Sequence, residues 1–171
     1  MERLWAPWRQ AYVIGASGSG NDDCIFCQAS SARVRLGPDS PRDELILVRG
    51  LVSFVILNLY PYNNGHLMVI PRSHTADFAR LDPEVLNDLH GLLKLSVEVL
   101  QEVYRPEGMN IGMNLGKCAG AGIADHLHYH VVPRWNGDTN FMPVLGLTKV
   151  MVEHLDESYS KLRARFDQRL A

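Results

Sequence analysis

The sequence lacks the features of several protein classes. Its 171 residues contain three cysteines, an odd and small number that excludes a disulfide-stapled scaffold. Neither charge sign dominates: 17 Lys and Arg stand against 19 Asp and Glu, for a net charge of -2. Such a balance leaves no electrostatic footprint for a nucleic-acid polymer, although a few donors in a local pocket can still hold a small anion. No apolar run approaches a membrane-spanning length, and "MERLWAPWRQAYV" has no apolar stretch of the signal-peptide kind. A cytoplasmic protein with reduced thiols and no membrane partner is expected. No internal repeat is visible.

What is present is a chain of one-domain length with 46% hydrophobic residues, enough for a sizeable core. The expected organisation is a single domain over 1–171. It divides into a Trp-rich arm and linker (1–23), a core (24–148) and a C-terminal helix (149–171). "GASGSGNDD" (15–23) reads as a flexible connector and "LGPDSPRDE" (36–44) as a polar loop. Trp5, Trp8 and Tyr12 in the arm suit packing or a subunit contact.

"LILVRG" and "SFVILNL" are β-rich runs suited to a hairpin, and "PYNNG" is a turn before the strand "HLMVIP". "MNIGMNL" and "HLHYHVV" are two further strands, separated by the glycine-rich "GKCAGAGIAD". The clearest helix begins with Asp82 at the N-cap and Pro83 at the first helical position. Its apolar stripe is Leu86, Leu89, Leu93, Val97, Leu100 and Tyr104, and Pro106 and Gly108 end it. Val152, Leu155, Tyr159, Leu162 and Phe166 mark the C-terminal helix. Strands around one long helix predict an α+β fold: an antiparallel sheet of about five strands, with a face left for a ligand.

"DHLHYHVVPRW" (125–135) places His126, His128 and His130 at alternate positions. In a strand these imidazoles share one face, while Leu127, Tyr129 and Val131 point to the other and set the register. A neutral imidazole, with an ordinary pKa of about 6.5, is a nucleophile at neutral pH that needs no strong base. One ring nitrogen attacks while the other keeps its proton, and covalent catalysis splits a hard displacement into two easier ones. His130 can donate to phosphate oxygens or assist a leaving group. Backbone N–H groups of the loop holding Gly116, Gly120 and Gly122 can approach phosphates closely. Lys117 and Arg134 are nearby basic residues, and Cys118 is a small filler.

"HLHYHVV" is similar at every position to the signature of the histidine triad (HIT) superfamily. "LNLYPYNNGHLMVIPRSH" resembles that family's nucleoside-binding hairpin and "GMNLG" its phosphate-side strand. "LWAPWR" and "RWNGDTNF" resemble the bacterial diadenosine tetraphosphate phosphorylase branch. The resemblance implies a HIT-like fold, a homodimer or higher homo-oligomer, and an adenine nucleotide or dinucleoside polyphosphate as substrate. It further implies nucleotidyl transfer to His128, followed by attack of water or phosphate. Asn58 would bind ribose hydroxyls, His66 would lie near base or sugar, and Asn114 would reach the α-phosphate. One departure stands out: Gly122 occupies the position of a phosphate-contacting Gln or Ser, which leaves the final acceptor open. Nucleoside phosphoramidates and aminoacyl-adenylates offer the same attackable phosphorus.

"CIFC" supplies Cys24 and Cys27, half of a zinc site. His74 and His126 are the candidates for the other two ligands, an arrangement that bacterial relatives of the family share. The competing readings are a thiol redox protein built on the two cysteines and a non-catalytic nucleotide-binding module.

Overall fold

The computed structural model describes residues 24–31, 45–146, 148 and 150–171. The expected arm, the connector and the 36–44 loop lie outside the described residues. Helix α1 (Ile25–Ser31) precedes three strands: β1 (Ile46–Arg49), β2 (Ser53–Leu57) and β3 (Leu67–Pro71). The long helix α2 (Pro83–Tyr104) is followed by β4 (Gly108–Met113), β5 (Tyr129–Arg134), a short α3 (Met142–Leu145) and α4 (Leu155–Leu170).

The strands form one antiparallel sheet in the order β1-β2-β3-β5-β4. The fold is therefore α+β, with five strands as the sequence pattern implied. Every residue of β2 and β3 is buried, which explains their apolar composition; the one polar residue, Ser53, bonds through its hydroxyl to Asp88. The core joins Leu47, Phe54, Val69 and Val131 to Leu89 and Leu100 of α2, and to Leu162 and Phe166 of α4.

Three local expectations shift. In α2, Asp82 sits at the N-cap and Pro83 opens the helix, but the Asp82 side chain makes no capping hydrogen bond. The buried positions are Leu89, Leu92, Ser96, Val99 and Leu100, rotated from the stripe read along the sequence. Ser96 lies at the centre of the buried face because its hydroxyl donates to the Leu92 carbonyl at 2.7 Å, satisfying it within the helix. A polar letter thus hid a core position. The C-terminal helix starts at Leu155, not 149, and Val152 lies outside it with 89% of its surface exposed.

The third shift concerns the histidines. The β5 ladder begins at Tyr129, so His126 and His128 precede the strand in an irregular segment. The three imidazoles are expected together on one face of a strand, yet His126 and His128 are both buried ahead of it. Phe26 of α1 supplies cover, its ring centroid 5.4 Å from that of His126 and 5.1 Å from that of His128.

The β2–β3 hairpin positions the other side of the site. Leu57 pairs with Leu67, and the Asn58 N–H continues the pattern by donating to the His66 carbonyl at 2.9 Å. Gly65 closes this hairpin at φ +73°, a left-handed conformation that favours glycine. A Cβ there would also lie 2.8 Å from the Tyr104 ring, so the hairpin can pack on α2 only without one.

Candidate active site

The irregular segment 126–128 and the first residues of β5 carry the three histidines in two different environments. His126 turns toward α1. Its Nδ1 lies 3.3 Å from Cys24 Sγ and 3.6 Å from Cys27 Sγ, and His74 Nδ1 is 3.3 Å from Cys27 Sγ. Ligand atoms of all four residues fall within 4.8 Å of one another. Sulfur at about 2.3 Å and nitrogen at about 2.0–2.1 Å from a tetrahedral ion stand about 3.5 Å apart, so these spacings fit a Cys2His2 metal centre. The donor set is that of a structural zinc site.

The protonation state agrees. His126 Nε2 donates to the Pro71 carbonyl at 2.8 Å, which leaves Nδ1 with its lone pair toward the sulfurs. Burial lowers the His126 imidazole to about 4, only partly opposed by the Pro71 carbonyl, and the ring is in the form that binds metal.

His128 has the reverse arrangement. Its Nδ1 donates to the His126 carbonyl at 2.9 Å, so the lone pair resides on Nε2. Burial holds the His128 pKa below the usual histidine value, against the opposing pull of that carbonyl, and keeps the ring neutral at neutral pH. A buried, neutral imidazole with its second nitrogen anchored is equipped for nucleophilic attack.

His130 lies beside it, with ring centroids 4.9 Å apart in a T-shaped arrangement. The strand opposite His130 carries Gly112, where an added Cβ would meet nothing within 4 Å. Open space therefore adjoins the half-buried His130. His66 is fully buried, with its Nε2 3.0 Å from His130 Nδ1. His66, expected near a base or sugar, is in contact with His130. Tyr62 packs on both rings, at centroid distances of 4.6 Å from His66 and 5.8 Å from His130.

The remaining expected residues are placed as follows. Asn58 is buried; its Oδ1 accepts from the Tyr60 N–H at 3.0 Å, and its Nδ2 lies 3.2 Å from His66 Nδ1. Asn114 donates to the Gly120 carbonyl at 3.3 Å and braces the glycine-rich loop. Lys117 and Cys118 are exposed in a single 3-10 turn, and Gly120 closes it with φ +92°. The N–H groups of Ala119, Gly120 and Ala121 are spent on carbonyls of Gly116 and Lys117, which makes the loop a self-bonded turn rather than an open cradle at those positions. Gly122 is half-buried.

Arg134 is ion-paired within the fold. Its guanidinium forks onto Asp138, with bonds of 2.6 and 2.8 Å, and reaches Asn110 at 2.8 Å. Asn63 joins this network by donating to Asp138 and to the Pro133 carbonyl. Phe26, Tyr62, Asn63 and Asp138 were not singled out from the sequence. For Phe26 and Tyr62 the available signal was an aromatic residue inside a motif, between the two cysteines and within the "PYNNG" turn.

The HIT domain family model matches residues 43–137, more than half of the chain. A Mycobacterium tuberculosis protein named AP-4-A phosphorylase is 37% identical over 158 residues, covering 92% of this chain and 80% of that protein. A zinc-bound histidine triad family protein of Mycobacterium smegmatis superposes with a TM-score of 0.66 at 30% identity, over 88% of this chain and 97% of that one. Diadenosine triphosphate hydrolase of Plasmodium falciparum, solved with cyclomarin A, gives 0.62 at 15% identity over 86% and 99% of the two chains, a likeness of fold alone. With the histidines in place and the family model spanning them, the chain belongs to the histidine triad family.

Proposed function

We propose that this chain is a single-domain enzyme that cleaves dinucleoside polyphosphates by moving an adenylyl group first to His128 and then to inorganic phosphate. The observation that carries the reading is the His128 ring, buried and neutral, with Nδ1–H held by the His126 carbonyl and the lone pair on Nε2. With diadenosine tetraphosphate, His128 Nε2 forms a bond to one α-phosphorus while the P–O bond to the departing ATP breaks. The positive charge gained by the ring is shared with the His126 carbonyl through the Nδ1–H bond. An oxygen of inorganic phosphate then attacks the same phosphorus, the N–P bond breaks, and ADP leaves with His128 restored.

The likeness to AP-4-A phosphorylase favours phosphate as acceptor. Chromatography of the products with and without millimolar phosphate tests this. ADP and ATP that require phosphate support phosphorolysis; AMP and ATP formed at one rate in both, with no ADP, identify a hydrolase.

Cys24, Cys27, His74 and His126 would hold a zinc ion, whose contribution is structural: it clamps α1 to the segment that carries His128. No helix among the described residues is long and apolar enough to cross a membrane, and cysteines held as metal ligands suit the reducing cytoplasm. A homodimer belongs to the same reading. β4 is a terminal strand of the sheet, and its Ile111 is 49% exposed. Sedimentation that finds only a 19.2 kDa species at assay concentrations would exclude the dimer.

A further inference from the structure

Two neighbouring imidazoles in this site must show different faces to a substrate, and the hairpin beside them determines how. The chain of hydrogen bonds starts from a donor of known identity. The Tyr62 backbone N–H points at His66 Nδ1 from 3.0 Å, and a backbone amide can only donate. A second donor converges on the same atom. Asn58 Oδ1 accepts from the Tyr60 N–H, which fixes the orientation of the amide and turns its NH2 toward His66 Nδ1 at 3.2 Å. Nδ1 of His66 therefore carries the lone pair, and the ring proton is on Nε2. From there it reaches His130 Nδ1 at 3.0 Å, which must accept, and the His130 proton is placed on Nε2.

We propose that His66 is a positioning residue: it relays the Tyr62 backbone N–H to His130, so that His130 offers an Nε2–H beside the Nε2 lone pair of His128. The two rings are 4.9 Å apart and take opposite tautomers, one anchored by the His126 carbonyl and the other by the hairpin. His66 is fully buried and Tyr62 packs on both His66 and His130, so the relay is shielded from competing water. The arrangement divides labour between side chains of identical chemistry. A lone pair at both positions would repel a phosphate oxygen at His130, and an N–H at both would leave no nucleophile. The assignment of Nε2–H to phosphate recognition rests on the function proposed above; the tautomers do not.

The test uses the zinc-loaded full chain and two variants, His66→Gln and His66→Leu. Gln can accept from Tyr62 through Oε1 and donate to His130 through Nε2, whereas Leu can do neither. Two-dimensional 1H–15N spectra of the histidine rings identify which nitrogen of each carries the proton. Expected for the unmodified chain are Nε2–H at His66 and His130 and Nδ1–H at His128. In His66→Leu, His130 should lose its single tautomer, and kcat with diadenosine tetraphosphate should fall on the order of 10- to 100-fold with a smaller change in KM. In His66→Gln both should be largely retained. A proton on His130 Nδ1 in the unmodified chain overturns the proposal, as does an unchanged His130 tautomer in His66→Leu. If the unmodified chain shows the expected tautomers but does not turn over diadenosine tetraphosphate, the relay stands and the substrate assignment falls. Should His66→Leu fail to fold, the spectrum of the unmodified chain still decides.

Discussion

His126 and His128 are joined by one hydrogen bond, from His128 Nδ1 to the His126 carbonyl at 2.9 Å. His126 thus acts twice: its ring closes the Cys2His2 cluster, and its backbone oxygen orients the neighbouring imidazole. One residue therefore links the candidate metal cluster to the group that orients the His128 ring.

The His128→Ala variant should lose turnover by a factor on the order of a thousand or more while nucleotide affinity changes little. The lost group acts in the transition state, and little ground-state binding goes with it. Initial rates paired with calorimetric titration of a nucleotide measure both quantities. Retained activity would refute the covalent route.

Removal of the metal should affect both sides of that link. Purified protein should hold about one zinc per chain, measurable by elemental analysis. Cys24→Ser, or treatment with a chelator, should lower Tm by about 5–10 °C, equivalent to losing a few kcal/mol in a chain of this size. Because the His126 carbonyl anchors His128, turnover should decline in parallel. A metal-free preparation with undiminished Tm would show that the cluster is not a metal site.

Gly65→Ala should be costly despite adding one methyl group. The residue occupies φ +73°, and the new Cβ would lie 2.8 Å from the Tyr104 ring. Strain of about 1–2 kcal/mol for the backbone alone, plus the displacement of Tyr104, should reduce Tm by about 5 °C or more. The same hairpin carries Asn58 and His66, so activity at permissive temperature should also fall. A thermal melt matching the unmodified chain would show that the turn can relax.

Glu153 should make part of the stability pH-dependent. Burial pushes its carboxyl up, but hydrogen bonds from Lys161, Tyr104 and Ser158 outweigh this and hold it below the usual value. A depressed carboxyl contributes stability that is present above its unfolded pKa of about 4.3 and is lost as pH falls through the folded value. Glu153→Gln should therefore lower Tm at pH 7 by a few degrees, with the difference shrinking below about pH 4. Melting curves from pH 7 to pH 3 check the sign; a difference that grows toward acid would contradict it.

The sequence alone determined much of this protein. Apolar runs and turns specify the five antiparallel strands, Pro83 opens the long helix, and the alternating histidines with "CIFC" mark the family and the metal ligands. These signals are local: periodicity, capping and motif spacing are written within a few residues of each other. Other features depended on contacts between residues far apart in the chain. Phe26 covers His128 across about a hundred residues, which helps bury a histidine expected on a strand face. Ser96 is buried by the way α2 packs in the fold, with its hydroxyl satisfied locally by the Leu92 carbonyl. Asn63 reaches the local Arg134–Asp138 pair from a hairpin turn 75 residues before Asp138. The tautomers of His128 and His130 were also beyond the sequence. An imidazole has two nitrogens of nearly equal basicity, and only the partner that tertiary structure brings to one of them decides where the proton stays.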